Sequence, residues 1–350
     1  MSLNPEAIIG CILGTAVGDA LGLPYEGLHP TKIKTINGYR LFFGKGMVSD
    51  DTEHTCMLAQ ALIVSAGDKK LFLEAFAWRL RWWLLSLPAG VGYGTLRAIL
   101  KLWFGFAPIY SGVKSAGNGT VMRAALLGVC YGHDLTKLTS LVKFSTVITH
   151  TDPKAEYATL AVAIAAYLSS QDMVILPQYY VKTLESILPA NAEELISLMR
   201  QAGESAYRQE DSQIFAASLG LTQGVTGYVY HTVPVVVQIW LRHQENYPLA
   251  IKEVIKLGGD TDTTAAILGA IIGARVGKKG IPSPWLRNLG EYPRTVQWIE
   301  NLGLKLAQVC TTGDQDTALP LPIIPLIIRN LFFLLIVIIY RFYRLFVGKL

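Results

Sequence analysis

The chain has 350 residues, 51% of them hydrophobic and only 16% charged, with a formal net charge of +5. That length accommodates one large domain or two with a substantial buried core. Basic residues are not interleaved with aromatics in the body, which argues against nucleic-acid binding, and the N-terminus lacks the pattern of a secretory signal, so export is not expected.

Residues 8–23 carry Gly10, Gly14, Gly18 and Gly22 at every fourth position, which lines them along one face of a helix. The spacing returns at Gly269, Gly273 and Gly277, predicting that these two helices pack closely at the centre of the domain. Asp19 lies in the first of them, either paired inside the bundle or supporting a site; no partner is visible in sequence. Pro24 and Gly27 then mark a turn, with Glu26 just past the end of the helix.

Residues 31–46 read as an irregular loop, where Gly44-Lys45-Gly46 does not complete a phosphate-binding loop. Ser49-Asp50-Asp51-Thr52 opens a helical pattern over 53–64 with an apolar face. An aromatic-rich helix is expected over 74–87 as packing surface, followed over 88–112 by a loop and short helix near a cleft. Gly117-Asn118-Gly119 precedes an apolar helix over 121–129 and can turn backbone N–H groups toward an anion, or serve as an ordinary loop with Thr120 as cap. At Thr149-His150-Thr151-Asp152-Pro153, Asp152 caps a helix running to Leu168, and His150 is a core histidine or a ligand contact. Further helices are expected over 191–207 and 233–242, and few segments alternate as strands do, so the body reads as all-α.

The most informative stretch is Gly258-Gly259-Asp260-Thr261-Asp262-Thr263-Thr264. Its paired glycines permit a sharp turn, after which Asp262 or Thr263 caps an apolar helix over 265–276. If this acidic helix start meets the one at Ser49–Thr52, four carboxylates share a small space against about half a positive charge from each helix dipole. Neither stretch contains Lys or Arg, so the missing charge is most simply a bound cation. Oxygen ligands without Cys or His at metal spacing suit Mg²⁺ or Mn²⁺ and argue against zinc.

Taken in order, the segments Gly14–Glu26, Ser49–Thr52, Gly117–Arg123, Thr149-His150 and Gly258–Thr263, with Ile281-Pro282 and Trp285 after them, resemble the motifs of the ADP-ribosylglycohydrolase family. The resemblance covers roughly residues 8–303. It implies an all-α domain with two Mg²⁺ or Mn²⁺ ions in a cleft, ligated by Ser49, Asp50, Asp51, Asp260, Asp262 and Thr263. It implies that Gly117, Asn118, Gly119, Thr120 and Met122 cradle ADP-ribose, with His150 nearby, and that Glu26 stands near the metals. Hydrolysis at the anomeric carbon is then the expected reaction, with Glu26 or Asp51 taking the proton of the attacking water. The substrate would be an ADP-ribosylated protein or a small ADP-ribose adduct. Thr264, Thr120 and Val121 depart from the commoner residues of these motifs without removing a ligand.

The domain is expected over 1–310, a polar linker over 311–320 and a hydrophobic tail over 321–350. The tail is expected to contact a membrane, Arg329 and Asn330 snorkelling at one face and Tyr340, Arg341, Tyr343 and Arg344 forming a belt at the other. The alternative is a helix that closes the globular body. Cys11, Cys56, Cys130 and Cys310 are scattered, which favours free thiols and a cytoplasmic, reducing location. Two other functional classes compete: a non-catalytic ADP-ribose-binding module and a membrane-tethered adaptor.

Overall fold

The computed structural model describes residues 4–346, with the side chains of Arg341 and of residues 343–346 excepted. Among these residues the secondary structure is helical, joined by turns and isolated bridges, with no sheet.

The organising contact is between the Pro5–Gly22 and Thr261–Gly280 helices, as the glycine spacing predicts. They run antiparallel. A Cβ added at Gly10, Gly14 or Gly18 would lie 2.1 Å from the carbonyl oxygen of Gly273, Gly269 or Ala265 respectively, and one at Gly22 would lie 2.3 Å from that of Thr261. Only hydrogen fits there, so the small residues let two backbones touch. The Pro5–Gly22 helix is buried from Ala7 to Gly22, and both helices are apolar on nearly every side, as expected of a central pair. Their antiparallel course sets the C-terminal end of one, with Asp19 and the following turn, beside the N-terminal end of the other.

The Asp50–Ser65 helix packs on this pair and begins at a Ser49 cap whose hydroxyl accepts the Asp51 N–H. Asp152 caps the Pro153–Ser169 helix as expected, accepting from the Lys154 N–H. Asp260, rather than Asp262 or Thr263, stands at the cap position of the Thr261–Gly280 helix. The 88–112 segment holds the helices Tyr93–Trp103 and Pro108–Ser111.

After the Val296–Thr312 helix the chain is laid along the body. Gln60 brackets Leu319 through its backbone N–H and C=O, and the Asp316 N–H reaches the Ile63 carbonyl. The final helix, Ile323–Phe346, docks on the same body. Here the structure corrects the expectation of snorkelling. Arg329 and Asn330 are buried: Arg329 donates to the Val48 carbonyl and to Glu291, each at 2.6 Å, and Asn330 donates to the Ser86 carbonyl at 2.7 Å. The polar pair faces inward because the body supplies its partners, whereas Ile323, Ile324, Ile328, Leu335, Ile338 and Ile339 face outward. Tyr340 donates to the Pro24 carbonyl; the side chains of Arg341, Tyr343 and Arg344 lie outside the described residues.

Two helices of the described residues, Pro5–Tyr25 and Ile323–Tyr340, are long and apolar enough to cross a membrane. The first is 94% buried in the body and the second 22%, so only the second has apolar surface to spare.

Candidate active site

The first-helix turn, the Ser49 cap, the Asn118 loop and the Asp260 turn meet at one cleft of about 560 Å³. Glu26, Ser49, Asp50, Gly117, Asn118, Gly119, Met122, His150, Asp260, Asp262 and Thr263 all border it. Two distant acidic helix starts are therefore neighbours: the Thr263 hydroxyl lies 3.3 Å from Asp51 Oδ2.

Asp51 sits behind the cleft wall. It is buried, its Oδ2 accepts from the Ser49 and Thr263 hydroxyls, and its Oδ1 has no hydrogen-bond partner. Burial, reinforced by repulsion from Asp50, Asp19 and Asp260, pushes its carboxyl well above the usual range. Burial does the same to Asp50, with Asp19, Glu53 and Asp260 adding to it, and to Asp262, with Asp260, Glu26 and Asp51 adding to it. Two buried cations near this end of the molecule are committed elsewhere. Arg294 pairs with Glu53 at 2.7 Å and Arg329 with Glu291; among the described residues no Lys or Arg forms an ion pair with Asp50, Asp51, Asp260 or Asp262.

Asp19, whose role was open in sequence, is a further acidic contributor to this end of the site. Its carboxylate accepts from the Ser49 N–H at 2.9 Å, the Thr52 N–H at 3.2 Å and the Thr52 hydroxyl at 2.6 Å. It thereby clamps the acidic helix start to the central pair. Burial raises its carboxyl to about 6 against the lowering effect of these donors from Thr52 and Ser49.

The glycine loop differs from an open anion nest. The Gly117 N–H donates to the Ser115 hydroxyl and the Asn118 N–H to the Gly227 carbonyl, so both are already satisfied. Asn118 instead works through its side chain, donating to Asp260 Oδ2 at 2.7 Å and to the Thr232 hydroxyl. Thr120, expected to bind ligand, is turned into the core and accepts from the Thr159 hydroxyl at 2.8 Å, because the short helix Asn118–Arg123 carries it to the far face.

Beneath the loop lies Arg123, fully buried and held by the Gly119 carbonyl at 2.6 Å, the Ser145 carbonyl at 2.7 Å and the Thr149 hydroxyl at 2.9 Å. Thr149 in turn meets His150 Nδ1 at 2.8 Å. A Cβ at Gly94 would stand 3.3 Å from His150 Nε2 and one at Gly117 3.4 Å, so the glycines keep that ring edge open to the cleft. Burial, aided by Arg123, lowers the His150 imidazole to about 3.

Sequence reasoning did not single out Arg97, Lys114 or Tyr93, which border the same cleft, nor Phe333 and Val337 of the last helix. Lys114 adjoins the glycine loop in sequence, which was a usable signal; for the others nothing local was available. The lining thus carries both acids and cations. Among the described residues no group of three or more His, Cys, Asp or Glu side chains stands as a ready-made metal cage. A divalent ion here would draw on the Ser49 and Thr263 hydroxyls and on water as well as on carboxylates, as magnesium commonly does. The unpartnered Asp51 Oδ1 and the uncompensated acids fit that use.

The chain and its all-α fold have counterparts among known proteins. A family model described as ADP-ribosylglycohydrolase matches residues 2–316. A protein of Archaeoglobus fulgidus is 30% identical over 87% of this chain and 97% of its own length. The ADP-ribosyl-[dinitrogen reductase] glycohydrolase of Rhodospirillum rubrum is 28% identical over 81% of this chain and 90% of its own. A solved structure titled ADP-ribosylglycohydrolase-related protein complex superposes with a TM-score of 0.62 at 26% identity, covering 89% of this chain and 100% of that one. The fold and its relatives define a glycosidase-type hydrolase. The chain belongs to the ADP-ribosylglycohydrolase family.

Proposed function

We propose that this hydrolase cleaves the bond at the anomeric carbon of ADP-ribose, releasing it from a modified protein side chain or a small adduct, with two Mg²⁺ or Mn²⁺ ions as cofactors. The observation that carries the reading is the meeting of two acidic helix starts at one cleft with, among the described residues, no basic side chain in an ion pair with their aspartates. Ser49, Asp50, Asp51, Asp260, Asp262 and Thr263 are the residues to hold the ions. When bound, such ions supply Lewis acidity that orients ribose hydroxyls and acidifies water.

The chain's own groups divide the remaining work. Arg97 and Lys114 suit the diphosphate, which sets the sugar toward the acidic wall. Cleavage develops positive charge on the sugar ring, which the Asp50, Asp260 and Asp262 carboxylates stabilise. Glu26 borders the cleft and Asp51 does not, so Glu26 is the better acceptor of the attacking water's proton. His150, neutral at working pH, serves as a hydrogen-bonding contact rather than as an acid.

The test is to incubate the purified chain with Mg²⁺ and proteins ADP-ribosylated at defined residues, following ADP-ribose release beside an Asp262→Ala control. Release by the wild type alone is expected. Binding of ADP-ribose without release from any substrate would replace hydrolysis with a binding role.

A lipid surface is the second partner of this reading, supported by the outward isoleucines of the last helix and by exposed Trp78, Trp82 and Trp103. Because Arg329 and Asn330 are committed to the body, the helix lies on the bilayer and does not span it. The free thiols suit a cytoplasmic face. The full chain should sediment with anionic vesicles, and Ile324→Glu with Ile328→Glu should release it; unchanged sedimentation of that variant would reject the contact.

A further inference from the structure

The family match ends at residue 316, yet the cleft does not. The Ile323–Phe346 helix meets the site at three points. Arg329 donates to the Val48 carbonyl, and Val48 immediately precedes Ser49. Glu291 Oε2 accepts from both the Val48 N–H at 3.2 Å and Arg329 at 2.6 Å, so one arginine and one glutamate grip both polar groups of that peptide residue. Further along, Phe333 and Val337 form part of the cleft wall, packed in one apolar cluster with Leu23, Met47 and Ala89, with the Arg329 guanidinium 4.5 Å from the Phe333 ring centroid. Finally, Tyr340 holds the Pro24 carbonyl, two residues before Glu26.

We propose that the C-terminal helix is a working part of this active site: Arg329 is a positioning residue for the Ser49–Asp51 ligands, and Phe333 with Val337 sets the selectivity of the cleft for what is attached to ADP-ribose. The physical basis is preorganisation. Ligand side chains on a loop stay in place only if the backbone carrying them is held, and residues that hold metal ligands typically matter about 10- to 100-fold in metal affinity. One guanidinium nitrogen, Nη2, serves both the Val48 carbonyl and Glu291 while the other, Nη1, reaches Asn330 and stands 3.6 Å from Glu53, a spread of partners that the single nitrogen of an ammonium does not cover. An apolar wall beside a polar sugar site favours an adduct with an apolar or aromatic neighbour over a purely polar one.

This inference rests on the hydrolase reading of the cleft, and its test separates the two. Mn²⁺ binding is measured by calorimetry, and ADP-ribose binding by the same method, on the full-length wild type, Arg329→Lys and Val337→Trp. Arg329→Lys should weaken Mn²⁺ binding about tenfold or more while retaining the wild-type far-UV spectrum. Val337→Trp should narrow the cleft, raising the KM for ADP-ribosylated substrates with a bulky apolar neighbour more than for those with a small polar one, with Mn²⁺ affinity unchanged. If Arg329→Lys fails to fold, Val337→Trp decides alone. Wild-type behaviour of the folded variants overturns the inference and leaves the hydrolase reading intact, whereas a wild type that binds neither Mn²⁺ nor ADP-ribose overturns both.

Discussion

The carbonyl oxygen of Gly269 occupies the place where a side chain on Gly14 would begin: a Cβ there would stand 2.1 Å away. That oxygen belongs to backbone and a Cβ is fixed by its own backbone, so neither can rotate aside. Gly14→Ala should therefore force the two central helices apart and destabilise the protein by about 3 kcal/mol or more, at the upper end of overpacking costs. Chemical denaturation checks this, and a midpoint equal to wild type would mean the helices do not pack at this distance.

Asp19 makes the acidic helix start part of the core. Asn in its place keeps the shape but brings an NH₂ group against the Ser49 and Thr52 donors. Asp19→Asn should weaken divalent-ion binding by about tenfold or more, as loss of a ligand-orienting group does. Calorimetric titration with Mn²⁺ measures it; retained affinity would reduce Asp19 to a structural cap.

The raised carboxyls carry a sign for stability. A carboxyl whose folded value lies above its unfolded one stabilises the fold fully below the unfolded range and loses that contribution as pH rises through the folded value, about 6 for Asp19. In EDTA the melting temperature should therefore fall as pH climbs from about 4 to 7 by more than it does in an Asp19→Asn variant. Saturating Mg²⁺ should recover the loss, an ion at 100 times its Kd contributing about 2.7 kcal/mol. Melting curves indifferent to both pH and Mg²⁺ would contradict the uncompensated charge.

His150 follows the opposite rule. A histidine lowered from its ordinary value of 6.5 to about 3 contributes stability that is present above 6.5 and is lost as pH falls through that window. Its ring resonances should not titrate between pH values of about 5 and 8, and the pH-rate profile should carry no limb that His150→Asn removes. A ring that titrates near 6.5 by NMR would show that the imidazole reaches water freely.

Much of this architecture was readable before any coordinates. The fourfold glycine spacing announced the central pair because a helix repeats every 3.6 residues, so such glycines share a face. Paired acids at helix starts without a cation were legible as a charge problem. What resisted reading depended on long-range contact. Asp19 showed no partner because its donors lie 30 or more residues away. Thr120 lies buried away from the cleft lining, which its motif did not foretell because a motif does not reveal which side of a short helix faces the cleft. Arg329 and Asn330 looked like membrane-edge residues because their partners, Val48, Glu291 and Ser86, come from distant segments. Arg97 and Phe333 enter the cleft from separate elements that no local pattern ties to it.

The antiparallel register of the central pair also acts as a ruler. Gly10, Gly14, Gly18 and Gly22 each oppose one residue of the partner helix, so inserting or deleting a single amino acid between Gly10 and Gly22 would swing everything after it by about 100°. Asp19 would then point away from Ser49 and the turn bearing Glu26 would leave the cleft. Chain-length change in this stretch is forbidden far more strictly than composition, and natural variation there should consist of exchanges of one residue for another.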